Sequence, residues 1–176
     1  YEQIIFLKKK KAAFECLPKH FEATESIFIH IPKAAGMSIV KSLYGLETSN
    51  HDTWKEHYYR DRRKFKKFFR FAFVREPVDR FLSAYNYLSA GGKSDIDKYW
   101  NAKYITQYAD VNDFVINGGL RSAFTKVEHF RPQYPYIYCN NSCMVNFVGK
   151  FETLSLDFSV VYRKIKGKEK SPLAHR

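Results

Sequence analysis

The chain has 176 residues, enough for one domain with a substantial core, and its 18% aromatic content, with 16 Phe and 13 Tyr, excludes a disordered polymer. Thirty Lys and Arg against 18 Asp and Glu leave a net charge of +12, which favours an anionic partner: nucleic acid, acidic membrane, acidic polysaccharide or a phosphorylated cofactor. No apolar run approaches the roughly 20 residues that span a bilayer, and three cysteines, Cys16, Cys139 and Cys143, make neither a disulfide framework nor a four-ligand zinc site, so no metal is expected.

In chain order, the apolar residues 1–7 precede four lysines at 8–11, the reverse of a secretory signal. The missing initiator Met and the basic end at SPLAHR lead to the expectation that the termini are incomplete. Residues 26–31 (SIFIHI) form a short apolar run ending at Pro32 and predict a buried strand. Gly36–Tyr44 (GMSIVKSLY) then sets Ile39, Val40 and Leu43 at helical spacing. After a basic connector at 60–67, residues 68–74 (FFRFAFV) predict a second strand. Pro77 suits a helix start, with Val78, Phe81, Leu82 and Tyr85 as its buried face. Residues 91–98 predict a mobile loop, 104–116 a helix broken by Gly118 and Gly119, 147–148 a short strand and 156–165 an amphipathic helix. Cys139 and Cys143 predict two reduced thiols in a loop. Strands alternating with helices argue for an α/β fold: a single domain over 1–176, with a central parallel sheet flanked by helices.

Two segments bear chemistry. In residues 31–38 (IPKAAGMS) a strand enters a loop of small residues and a helix leaves it, so that free N–H groups and the positive helix end face an anion. Lys33 adds a full charge and Ser38 a hydroxyl donor. The spacing is not that of a nucleotide-triphosphatase P-loop, in which Gly-Lys-Ser/Thr follows an earlier Gly, because here Lys33 precedes Gly36. In residues 74–85 (VREPVDRFLSAY), Arg75 sits at a strand end, with Ser83 about two turns into the next helix. An arginine fork and a serine suit a phosphate, and a helix-start ion-pair cluster of Arg75, Asp79 and Arg80 is the structural alternative.

Taken together, IPKAAGMS after SIFIHI, FAFVREPVDRFLSAY, EHFRPQ at 128–133 and FVGKFETL at 147–154 resemble the carbohydrate sulfotransferases that use 3′-phosphoadenosine 5′-phosphosulfate (PAPS), in the chondroitin and HNK-1 branch with its bacterial relatives. The resemblance covers about 26–165 and implies a P-loop-like phosphosulfate-binding loop. Lys33, Ala35, Gly36, Met37 and Ser38 would hold the 5′-phosphosulfate, and Arg75 with Ser83 the 3′-phosphate. Ala34 and Met37 depart from the hydroxyl or small residues frequent in the family. The implied reaction carries a sulfuryl group from PAPS to a hydroxyl acceptor, a glycan and by the chain's charge an acidic one, with Lys33 and the nearby N–H groups meeting charge on the leaving phosphate.

A base is needed for the acceptor proton, and six histidines compete. His51 lies between the two phosphate segments, where related sulfotransferases carry a functional His, and is favoured, then His129 in EHFRPQ, then His57, with Glu56 behind them. His30 is expected to be a packed core residue, and His20 and His175 surface residues. Two rival functions remain at this point: a nucleotide-dependent kinase, weakened by the missing Walker spacing, and a basic nucleic-acid-binding domain, weakened by aromatics that fall on apolar faces. No nucleic-acid partner is therefore expected, and few cysteines with no visible anchor favour the bacterial cytoplasm over the Golgi lumen.

Overall fold

The computed structural model describes residues 16–167. The N-terminal apolar stretch, the lysines of 8–11 and His175 lie outside them. In chain order the elements are α1 (Lys19–Thr24), β1 (Ser26–Ile29), α2 (Gly36–Tyr44), α3 (Trp54–Arg60), α4 (Arg62–Lys67), β2 (Phe69–Val74), α5 (Pro77–Ser89), α6 (Asp95–Trp100), a π-helical turn (Asn101–Ile105), α7 (Val111–Ile116), α8 (Gly119–Ala123), a 3-10 turn (Glu128–Phe130), α9 (Tyr134–Ile137), β3 (Tyr138–Cys139), β4 (Ser142–Cys143), β5 (Phe147–Lys150), a second 3-10 turn (Phe151–Thr153) and α10 (Leu154–Lys166). They fall into two compact units, one of residues up to Arg75 and from Gln133 onward, the other Glu76–Pro132.

The first unit is the α/β part. Its three strands run parallel in the order β1-β2-β5, with Ser26 opposite Phe69 and Phe71 opposite Phe147. Parallel strands flanked by helices are buried on both faces and read as unbroken apolar runs, which is why SIFI and FRFAFV carried a clear signal. All four residues of β1 are buried, as are Phe71, Ala72 and Phe73 in the central strand. Gly149 in β5 is glycine because a Cβ there would stand 2.5 Å from the Phe73 ring. The helical faces follow the 3.6-residue period: Ile39, Val40 and Leu43 of α2 and Leu154, Phe158 and Val161 of α10 are buried. The hairpin of β3 and β4 turns on Asn140 and Asn141, at φ 45° and 65°, the left-handed pair a type I′ turn requires. Cys16, Cys139 and Cys143 are free thiols.

The second unit packs around an aromatic cluster. The fully buried Phe114 ring lies 5.3–6.4 Å from the rings of Phe81, Tyr85, Tyr108 and Phe130. Three expectations are corrected here. Val78 and Leu82 of α5 are 61% and 37% exposed. The inward stripe is instead Arg80, Ala84, Tyr85 and Leu88, and Arg80 is tolerated inside because it donates to the carbonyls of His129 and Arg131. The helix expected over 104–116 is broken, because Asp110 accepts from the Asp113 N–H and starts α7 afresh. The loop expected over 91–98 ends early, since Ser94 and Asp97 form a capping box that begins α6.

Candidate active site

The loop between β1 and α2 is strained. Lys33 and Ala35 take left-handed φ values of 66° and 64°, a conformation that costs a non-glycine residue roughly 1–2 kcal/mol and gathers at functional sites. Ala35 is the N-cap of α2 and makes no side-chain cap hydrogen bond, and the first helical bond runs from the Ile39 N–H to the Ala35 carbonyl at 3.2 Å. The N–H groups of the preceding turn have no carbonyl within the helix to receive them. Gly36 is buried and Met37 and Ser38 are exposed, while Lys33 is half-buried. A Cβ on Gly36 would stand 1.8 Å from His30 Nε2, so the imidazole occupies the space beside the helix start.

His30 links this loop to His51. Their ring centroids lie 4.6 Å apart at 76°, edge to face, and Phe28 stacks on His30 at 5.6 Å. His30 is indeed buried, at 4% exposure, but it is also the contact that joins Gly36 to the favoured base. Sequence reasoning missed that second property, because a His ending an apolar run looks like packing. His51 itself is half-buried. The residues after it are pinned: Asp52 meets Arg60 Nη1 at 2.8 Å, the Thr53 hydroxyl caps α3, and the Trp54 indole donates to the Tyr138 carbonyl at 3.0 Å.

The other candidates near His51 are committed to structure. Glu56 accepts from the Thr53 N–H at 2.9 Å and from its hydroxyl, closing a capping box. His57 is 4% exposed, its ring 5.5 Å from that of Phe21, and its Nδ1 is buried with no hydrogen-bond partner. Burial pulls its pKa down to about 4, with Asp52 acting upward and Arg60 downward. His20 is half-buried against Phe21 and Tyr44, rather than on the surface as expected.

Arg75 follows β2 and is held through its main chain. Its N–H donates to Gln133 Oε1 at 2.9 Å, and Gln133 Nε2 donates to its carbonyl at 2.7 Å, so one side-chain amide continues the strand's bonding. The guanidinium lies over the Phe151 ring, 4.2 Å from its centroid, and Nε is buried without a hydrogen-bond partner. Gln133 and Phe151 were legible only as members of EHFRPQ and FVGKFETL, with no sign of what they touch.

Ser83 and His129 belong to the second unit. Ser83 is half-buried on α5. His129 is 7% exposed, with Nδ1 3.9 Å from Asp97 Oδ1 and Tyr87 and Trp100 rings 5.2 and 5.7 Å away. Burial alone would raise the Asp97 pKa, but hydrogen bonds from Ser94 and Tyr87 outweigh it and hold the carboxyl below its usual range. Burial, helped by the same contact with Asp97, pushes the Tyr87 hydroxyl up to about 12. Among the described residues no group of three His, Cys, Asp or Glu is arranged to hold a metal ion, and no helix is long and apolar enough to cross a membrane.

A sequence model described as the sulfotransferase family matches residues 21–173, through both units and every segment above. The chain belongs to the sulfotransferase family. No curated protein and no solved structure matches it significantly. As a sulfotransferase it is an enzyme that moves a sulfuryl group, and such a transfer requires a hydroxyl-bearing acceptor. Its parallel three-stranded sheet flanked by helices is consistent with that family's fold.

Proposed function

We propose that this sulfotransferase takes its sulfuryl group from PAPS and delivers it to a carbohydrate hydroxyl, and that both units together make one domain over 1–176. The observation that carries the reading is the strained, cationic loop at Lys33–Ala35 opening an uncapped helix, with His51 one ring beyond the His30 that seals it. In this reading Lys33, the N–H groups of Ala35, Gly36 and Met37, and the Ser38 hydroxyl hold the 5′-phosphosulfate. Arg75 and Ser83 hold the 3′-phosphate. The buried Nε of Arg75 supports the assignment, being a donor in want of an acceptor on a guanidinium already fixed against Phe151.

PAPS supplies a sulfonate on a good leaving group; as the bond from sulfur to the phosphate oxygen breaks and the acceptor oxygen bonds to sulfur, negative charge gathers on that phosphate oxygen. Lys33 and the loop N–H groups neutralise it where it appears. A ring nitrogen of His51 takes the proton from the acceptor hydroxyl. His129 and His57 are the alternative bases. Their 7% and 4% exposures favour the half-buried His51, since a base must reach an arriving hydroxyl. The net charge of +12 supports an acidic glycan as acceptor, and the free thiols support a reducing compartment such as the bacterial cytoplasm over the Golgi lumen.

Thermal denaturation with added 3′-phosphoadenosine 5′-phosphate, ATP or an oligonucleotide tests the donor. A saturable upward shift selective for the first supports the reading. An equal shift with ATP would return the kinase alternative, and one with the oligonucleotide alone the nucleic-acid-binding one. Labelled PAPS offered with a panel of chondroitin, heparan and uncharged oligosaccharides then identifies the acceptor.

A further inference from the structure

Asp52 directly follows His51, and its carboxylate meets Arg60 at 2.8 Å with the two side chains 11% and 4% exposed. A buried ion pair is weak evidence for stability, because removing two charges from water offsets most of their attraction and apolar residues of like volume often do as well. In some proteins such a pair instead fixes a register. Here it ties the residue after His51 to the last residue of α3. Thr53 and Trp54 are fixed by the cap and by the indole bond to Tyr138, whereas the residue bonded to His51 is fixed by the ion pair. We propose that Asp52 and Arg60 are positioning residues that hold the His51 ring against His30, and through His30 beside Gly36, so that the base stands in one place relative to the loop.

The proposal rests on reading His51 as the base, and the experiment separates the two. In the full chain, imidazole resonances of His51 and the nuclear Overhauser contact between the His51 and His30 rings report position without any acceptor. Turnover of labelled PAPS on the panel member that wild type labels most reports the chemistry. Asp52→Asn and Arg60→Gln should each abolish the ring contact, lower turnover about 10- to 100-fold, as a displacement of about 1 Å does, and leave affinity for 3′-phosphoadenosine 5′-phosphate nearly unchanged. Arg60→Lys keeps the charge and should keep both the contact and most of the turnover. If a single variant fails to fold, the neutral double variant Asp52→Asn/Arg60→Gln, which strands no buried charge, decides by the same contact. A ring contact unchanged in the neutral variants, or lost equally in Arg60→Lys, overturns the proposal. A lost contact with wild-type turnover leaves the positioning role standing and removes His51 as the base.

Discussion

Gly36 is held to glycine by a neighbour rather than by its own backbone. Its φ is ordinary for a helix start, but the His30 ring fills the position its Cβ would take. His30 is itself packed by Phe28 and His51, so it has little room to yield. Gly36→Ala should therefore destabilise the protein by about 1–3 kcal/mol, the usual cost of overpacking, and weaken binding of 3′-phosphoadenosine 5′-phosphate. Wild-type melting and affinity together would mean that the ring moves aside freely. Lys33→Ala is the complementary change, at a half-buried rather than a buried side chain. Turnover should fall about 10²- to 10³-fold with the fold intact, because in the proposed reaction its charge acts mainly on the transition state. Near-normal turnover in a folded variant removes Lys33 from the reaction. At this scale the loop was legible, since small residues, a lysine and a glycine between a strand and a helix have a direct physical reading. The ring that presses on it was not, because the contact is made by a residue that also satisfies the pattern of a core.

Elements were read best where one period ran unbroken. The helix Gly36–Tyr44 matches its expected bounds, and β2 differs from its expected start by one residue. The missed face of α5 has its cause far along the chain, in a polar residue satisfied by distant carbonyls, whereas the other two misses are local caps. Nothing near Arg80 signals that it will meet carbonyls at 129 and 131, and without those bonds Val78 and Leu82 would be the natural inner face. Asp110 carries a local cap signal, a side chain that accepts from the N–H three residues on and restarts the helix. The end of β2 gives a prediction for the proposed 3′-phosphate site. Arg75→Ala and Ser83→Ala should weaken binding of 3′-phosphoadenosine 5′-phosphate far more than that of adenosine 5′-phosphosulfate, which lacks the 3′-phosphate. Gln133→Ala should do the same more mildly and cost about 2 kcal/mol, for two main-chain hydrogen bonds at about 1 kcal/mol each. Equal losses for both ligands, measured by calorimetric titration, would detach these residues from the 3′-phosphate.

For the whole molecule, stability should depend on pH through buried histidine. His57 is held near pKa 4 in the folded state against 6.5 unfolded. The unfolded chain therefore binds more protons between these values, and stability is complete above pH 6.5, falls as pH drops, and levels below about 4. The shift corresponds to roughly 3 kcal/mol, and His20, also lowered by burial, adds in the same direction. Asp97, whose pKa is depressed, loses its contribution as pH falls from the ordinary carboxylate range downward, so its window lies below that of His57 and adjoins it. His57→Leu should flatten the melting curve's pH dependence between 6.5 and 4. An unchanged slope would place the titrating group elsewhere. The alternation of strand and helix made the sheet legible, but the division into two units was not, because no linker-like composition marks either crossing at 75–76 or 132–133. The Gln133 amide makes those crossings neighbours: the chain leaves the sheet unit at Arg75 and re-enters at the residue hydrogen-bonded to it. The helical unit is thus an insert drawn through a tied neck. The knot keeps both ends of the sheet's chain together, so loops within that insert can change length without disturbing the register of the strands.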